Sequence, residues 1–207
     1  MQPELQMIIS VLTAGQPEEV NETYLRRKLG LSPAEFREQY LSYSQLLKAC
    51  THYCVYLLQT ELEIIWQLSV NAIQKLYYSL VVLQRPENQK RRAYLRLVDE
   101  QYPLLTAEVR PVISSNIQTH FQQLLLKGKA EGLILPDIKV PVTANRLWYL
   151  NGVALQHSMQ AQERQYWLEE VVHVLWPLVG QLFTPAGHDA MEVSLATHPQ
   201  TLNQYSK

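Results

Sequence analysis

Residues 22–50 read ETYLRRKLGLSPAEFREQYLSYSQLLKAC, and the fold turns on how this stretch is punctuated. Leu25 and Leu29 share one face of a first short helix. Gly30 follows at its C-cap, where a positive φ is needed and glycine adopts it most cheaply. Ser32 is an N-cap for the next helix, with Pro33 at its first position and Glu35 completing an S-x-x-E capping box. Phe36 and Tyr40 then face inward at helical spacing. Helix, glycine turn and capped short helix form a helix-turn-helix, which can offer its second helix to the major groove of DNA. The competing reading is a plain helical pair, since many Gly-turned pairs have no DNA partner.

Outward from this stretch the chain stays helical. Leu5, Ile8, Ile9 and Leu12 lie on one stripe of a helix from about Glu4 to Thr13, ended by Gly15 and Pro17. Three such short helices are too small to be stable unless docked on something. From Tyr43 to Leu68 there is no Gly or Pro, and Leu46, Cys50, Tyr53 and Leu57 mark one long helix that enters a larger domain. A helix from about Ser69 to Gln84 is apolar all round and hence buried. The next, from about Glu87 to Gln101, carries Lys90, Arg91, Arg92 and Arg96, read as a solvated face. A long helix ends near Lys127, with Ile113, Ile117, His120, Phe121, Leu124 and Leu125 on its inner stripe. Further helices are expected from about Val142 to Met159 and from about Gln162 to Phe183. In the last, Leu168, Val172, Leu175, Val179 and Leu182 make a seam for a partner helix, while Trp167, Val171, Val174 and Leu178 make a second apolar row. Pro177 should kink or split it near His173. Residues 185–207 are polar and without period, and are read as a disordered tail.

Composition narrows the function classes. Of 207 residues, 47% are hydrophobic and 18% charged, below the usual quarter, so some apolar surface is expected to be covered by a partner. The formal net charge is −1, which argues neither for nor against nucleic acid. Cys50 and Cys54 lie four apart on a probable-helix spacing that suits a disulfide poorly, which fits a reduced, cytoplasmic setting. No basic region followed by an apolar run opens the chain, and no apolar run approaches ~18 residues, so neither signal peptide nor membrane span is expected. Cys50-x-His52-x-Cys54 invites a metal reading, but residues two apart on a helix do not share a face. There is no Gly-rich phosphate loop, nucleophile elbow or HExxH, and Glu169 and Glu170 are adjacent and divergent; an enzyme and a bound cofactor are not expected.

Two stretches carry a family resemblance. Gly30-Leu31-Ser32, Phe36, Tyr40, Leu46-Leu47 and Ala49 are similar to the helix-turn-helix of the TetR family of bacterial transcriptional regulators. Gly128-Lys129-Ala130-Glu131-Gly132, then Leu135-Pro136-Asp137 and Ala144, resemble the Gly-x-x-x-Gly loop and Pro-Asp before that family's penultimate helix. The sequence departs from the pattern at Pro33 and Arg37, where the family has a basic or small residue and a phosphate-touching tyrosine.

The resemblance implies an all-α fold of about nine helices. It implies a helix-turn-helix DNA-binding domain over residues 1–44 and a ligand-binding and dimerisation domain over 45–184. In the first, Ser32, Ala34, Arg37 and Gln39 would meet operator DNA, with Arg26, Arg27 and Lys48 nearby for phosphates. In the second, Tyr53, Tyr56, Trp66, Tyr77, Tyr78, His120 and Phe121 are candidates for a small hydrophobic or aromatic effector, though aromatics at helical spacing are more often core. A four-helix homodimer interface would use Leu147, Trp148, Asn151, Leu155, Leu168, Val172, Leu175 and Val179. The function implied is a ligand-responsive repressor, with no membrane partner; the alternative is a ligand-binding or interaction module of the same fold without tight operator binding.

Overall fold

The computed structural model describes residues 2–14, 21–160 and 170–201. Its helices are α1 (Gln2–Ala14), α2 (Glu22–Leu29), α3 (Pro33–Tyr40), α4 (Tyr43–Gln67), α5 (Ala72–Gln84), α6 (Pro86–Gln101), α7 (Pro103–Ala107), α8 (Val109–Ala130), α9 (Val140–Gln160), a π-helical segment Glu170–Leu175, α10 (Trp176–Gly180) and α11 (Pro185–Thr201). Among the described residues extended pairing is confined to one bridge, Ile134 with Phe183, and no helix is long and apolar enough to cross a membrane.

The chain divides into two compact units. The first comprises Met1–Thr60 with Glu87–Ser114, and the second Glu61–Pro86 with Ser115–Lys207. This differs from a boundary at residue 44. The reason is the one the sequence already shows: α1 to α3 cannot close a core by themselves. Ile8, Leu12, Leu25, Phe36, Leu46, Leu47 and Cys50 become a core only with Tyr94 and Val98 of α6. The Tyr94 hydroxyl donates to the Leu47 carbonyl at 2.8 Å, tying α6 to α4 inside this unit. Cys50 and Cys54 are both buried, with burial pushing each thiol up to about 12, while His52 on the same helix faces solvent.

The second unit is built around α5, buried along nearly its whole length. Asn71 caps it and Gln74 closes a reciprocal capping box. Trp176 is wholly buried, its ring 4.9 Å from that of Tyr77 and 5.6 Å from that of Phe183. Two glycines shape the turn after α8. Gly132 takes a φ of 71°, open to glycine at least cost. Gly128 lies under the returning chain, where a Cβ would stand 2.5 Å from Ile134 Cδ1. Leu133 N–H bonds back to the Gly128 carbonyl at 2.9 Å, and the segment then pairs with residues 182–184 through Leu135 N–H to Leu182 O and Thr184 N–H to Leu133 O.

In the C-terminal third the helix expected to Phe183 is split at Pro177, as its position predicts: the π-helical segment ends at Leu175 and α10 begins at Trp176, with Pro177 in its first turn. Pro177 has no N–H for the His173 carbonyl, so the extra residue of a π turn falls where the proline removes a bond. Residues 185–201, read as disordered tail, form α11. Thr184 is its N-cap: the Thr184 hydroxyl accepts from Gly187 N–H at 3.2 Å and donates to the Gly132 carbonyl at 2.8 Å. Thr184-Pro185 is a start signal that polar composition obscured. α11 packs along α5 and buries Ser194, a tertiary gain that its weak periodicity does not announce.

Candidate functional site

The helix-turn-helix forms with the caps its sequence requires. Asn21 accepts from Tyr24 N–H at 3.0 Å to start α2, and Gly30, with φ 70° and ψ 24°, closes it. Ser32 N–H donates to the Glu35 carboxylate at 2.8 Å while the Ser32 hydroxyl accepts from Glu35 N–H at 3.3 Å. Phe36 is the buried anchor of α3, 5.1 Å from the Tyr40 ring. The opposite face of α3 is therefore solvent-facing, and Ser32, Ala34, Arg37 and Gln39 all lie on exposed positions.

The charges on this unit are unevenly free. Arg26 is held by Glu22 at 3.3 Å and Lys48 by Glu108 at 3.9 Å. Gln39 donates to the Glu4 carboxylate, which Tyr40 also contacts, so its amide is engaged with α1. Arg27 and Lys28 lie over the Tyr24 ring, 6.0 and 5.7 Å from its centre. Arg37 makes no ion pair among the described residues. The Glu35 carboxyl is pushed below the ordinary value by its Ser32 hydrogen bonds, so the N-terminal turn of α3 carries a negative charge.

The effector candidates divide. Tyr53 packs against the core of the first unit and Tyr56 is exposed there. The other residues, Trp66, Tyr77, Tyr78, His120 and Phe121, belong to the second unit. Tyr77, Tyr78, His120 and Phe121 are buried and Trp66 is half-buried. His120 Nε2 lies 2.8 Å from Ser79 Oγ, whose own hydrogen is committed to the Lys75 carbonyl at 2.8 Å. His120 is therefore the donor of that pair, from Nε2, and burial pushes its imidazole down to about 4, keeping it neutral. Sequence reading passed over Lys75. Its signal was available: a single cation in a helix otherwise apolar all round.

The dimer candidates are mostly turned inward. Leu147, Leu175 and Val179 are buried in the protomer's own core, and Trp148 is half-buried. Asn151 is fully buried, its carbonyl and side-chain oxygen accepting from Gln84 Nε2 at 2.9 and 2.5 Å. Leu168 and the side chains of Leu155 and Val172 lie outside the described residues. The apolar residues facing out are the other rows: Val142 and Tyr149 on α9, the latter 72% exposed, and Val174 and Leu178 after it. α9 packs along the π-helical segment, and Val142, Asn145, Arg146, Tyr149 and Leu150 line an open depression of about 390 Å³. Of the two rows, the described members Leu175 and Val179 face in and Val174 and Leu178 face out, while Trp167, Leu168 and the side chains of Val171 and Val172 lie outside the described residues.

No family model and no curated protein matches the sequence. Solved structures do. A TetR-family transcriptional regulator from Marinobacter aquaeolei VT8 matches with a TM-score of 0.74 at 12% identity, over 95% of this chain and 98% of its own. A γ-butyrolactone receptor (ArpA-like protein) matches at 0.70 and 13% identity, over 97% and 99% of the two chains. The ketosteroid transcriptional regulator KstR2 of Mycobacterium tuberculosis matches at 0.69 and 12% identity, over 88% and 95%. Near-complete coverage from the capped helix-turn-helix to the C-terminal helices makes this the fold of the TetR-family transcriptional regulators.

Proposed function

We propose that this chain is a ligand-responsive transcriptional regulator, a repressor that binds operator DNA as a homodimer in the cytoplasm and is released by a small apolar effector. The observation that carries the reading is the capped α2–α3 pair with the outer face of α3 exposed, set in a fold shared end to end with proteins described as regulators. Arg37, Ser32 and Ala34 would reach the major groove, and Arg27 and Lys28 the flanking phosphates. The outward apolar row of Val142, Tyr149, Val174 and Leu178 supports self-association through α9 and the segment after it. Inside the second unit, the helices carrying Trp66, Tyr78, His120 and Phe121 would hold the effector. α4 contributes Tyr43–Thr60 to the first unit and Glu61–Gln67 to the second, so a ligand that favours one setting of α4 biases the spacing of the two recognition helices.

A second reading has its own support. Glu35 and Glu38 oppose phosphates on the exposed face of α3, and Arg26 and Lys48 are already paired. An interaction module of the same fold would keep the effector site and the dimer without tight operator binding. Selection of genomic fragments with the purified protein tests both. Enrichment of a sequence with two half-sites about one DNA turn apart supports the regulator. Absence of enrichment at low salt refutes it and leaves the module.

A further inference from the structure

The polar cluster behind Trp66 does not fit a purely apolar effector. Lys75 is a cation only 5% exposed in the first turn of a buried helix. Its ammonium donates to the Trp66 carbonyl and sits 5.1 Å from the centre of the Trp66 ring. The Trp66 carbonyl is one of the last of α4, so part of Lys75's role is to cap that helix end. That uses one of three N–H donors. The Glu131 charge acts on Lys75, but its carboxylate is hydrogen-bonded elsewhere, to Lys127 at 2.5 Å and to Ala72 N–H at 2.8 Å. Among the described residues no carboxylate pairs with Lys75, and burial together with the Lys127 charge pushes its ammonium below the ordinary value. A largely covered cation without a carboxylate partner carries a desolvation cost that an anionic ligand would offset.

Polar and aromatic side chains of the second unit surround this cation. Ser79 stands one turn along α5 from Lys75 and holds His120 of α8. Glu63 and Trp66 of α4 flank the same cluster, Glu63 exposed and Trp66 half-buried, so Lys75 lies one side-chain layer beneath the surface. Tyr78 follows Lys75 by three residues on α5, and the Phe121 ring lies 6.2 Å from that of His120, both buried in the same unit.

Resting on the reading that the effector binds among the helices of the second unit, we infer that the effector is an apolar acid, whose carboxylate pairs with Lys75 while its hydrocarbon or aromatic body lies against Trp66, Tyr78 and Phe121. A single carboxylate would supply the one negative charge that Lys75 has no carboxylate partner for among the described residues.

The test is a thermal-shift and calorimetric comparison of matched probes on the full chain: phenylacetate, indole-acetate, decanoate and dodecanoate, each against its methyl ester and the corresponding primary amine. The wild-type protein is expected to bind at least one acid about tenfold to a hundredfold tighter than its ester, the range of a charge-assisted hydrogen bond, and to ignore the amine. Lys75→Met, of similar length and without charge, should bring acid and ester to equal affinity. If Lys75→Met fails to fold, the acid-to-ester ratio in the wild-type protein decides alone. Acid and ester binding equally to the wild type overturns the acid subsite and leaves the apolar effector site standing. If acid discrimination persists in Lys75→Met, the charge is read elsewhere and the assignment to Lys75 is wrong. If no probe binds, both the acid subsite and the effector site in these helices are refuted for this ligand class.

Discussion

Replacing Arg37 with alanine should weaken binding to DNA of any sequence and flatten its salt dependence, and the size of the change follows from how the charges are paired. Five cations lie on or near the helix-turn-helix: Arg26, Arg27, Lys28, Arg37 and Lys48. Glu22 holds Arg26 and Glu108 holds Lys48, leaving Arg27, Lys28 and Arg37 without a carboxylate partner among the described residues. With those three on each subunit neutralising phosphates, a dimer makes about six contacts, and at ~0.9 per contact log K should fall with a slope of about −5 in log salt. Arg37→Ala removes one contact per subunit, bringing the slope to about −3.5 and costing on the order of fiftyfold at ~0.1 M salt. The substitution leaves the fold intact, because Arg37 supports the end of α3 through its backbone carbonyl, which accepts from Leu41 N–H at 2.9 Å. The converse change is Glu35→Gln: glutamine preserves the capping box and removes the negative charge, so nonspecific affinity should rise. Fluorescence anisotropy on a random duplex, titrated from low to high salt, reads both. If neither substitution moves the slope, the outer face of α3 does not meet DNA, and the interaction-module reading replaces the regulator.

Further expectations concern assembly, the terminal helix and the buried histidine. Leu178→Glu or Tyr149→Glu should shift a homodimer to monomer in sedimentation without lowering protomer stability, whereas Leu175→Ala should destabilise folding by about 2–4 kcal/mol in urea as a core truncation; the reverse pattern would restore the Leu175–Val179 seam as the interface. Gly187→Ala places a Cβ 2.1 Å from the Leu133 carbonyl oxygen and should destabilise by about 1–3 kcal/mol with faster amide exchange along α11; unchanged exchange would mean α11 does not dock there. His120 has its folded-state value pushed from 6.5 down to about 4, so the unfolded chain binds the extra proton and stability should fall as pH drops through that window, by up to about 1.4 kcal/mol per pH unit. Urea midpoints across that range should lose this contribution in His120→Gln; an identical pH dependence in the variant would show that another group titrates.

Local chemistry was legible in the sequence wherever a short-range rule governed it. Gly30, Ser32, Pro33 and Glu35 set the turn and caps of α2 and α3 because each acts within one helical turn, and the structure has them all. Pro177 marked the break near His173 for the same reason, and the Gly128–Gly132 turn followed from the steric freedom of glycine. Facing was legible only in part. The last long helix shows two apolar rows of equal claim, and periodicity alone does not say which meets the protomer's own core; Trp176, packed on Tyr77 and Phe183, brings Leu175 and Val179 inward and leaves Val174 and Leu178 outside. The unit boundary and α11 required tertiary structure as well. Tyr94 and Val98 complete a core with residues far earlier in the chain, and α11 exists because α5 offers it a surface, neither of which any local period encodes. Lys75 shows both sides. Its charge within an apolar run is plain in the sequence, but that Glu131 is occupied by Lys127 and Ala72, leaving the ammonium with no carboxylate partner among the described residues, is decided by side chains that only the fold brings together.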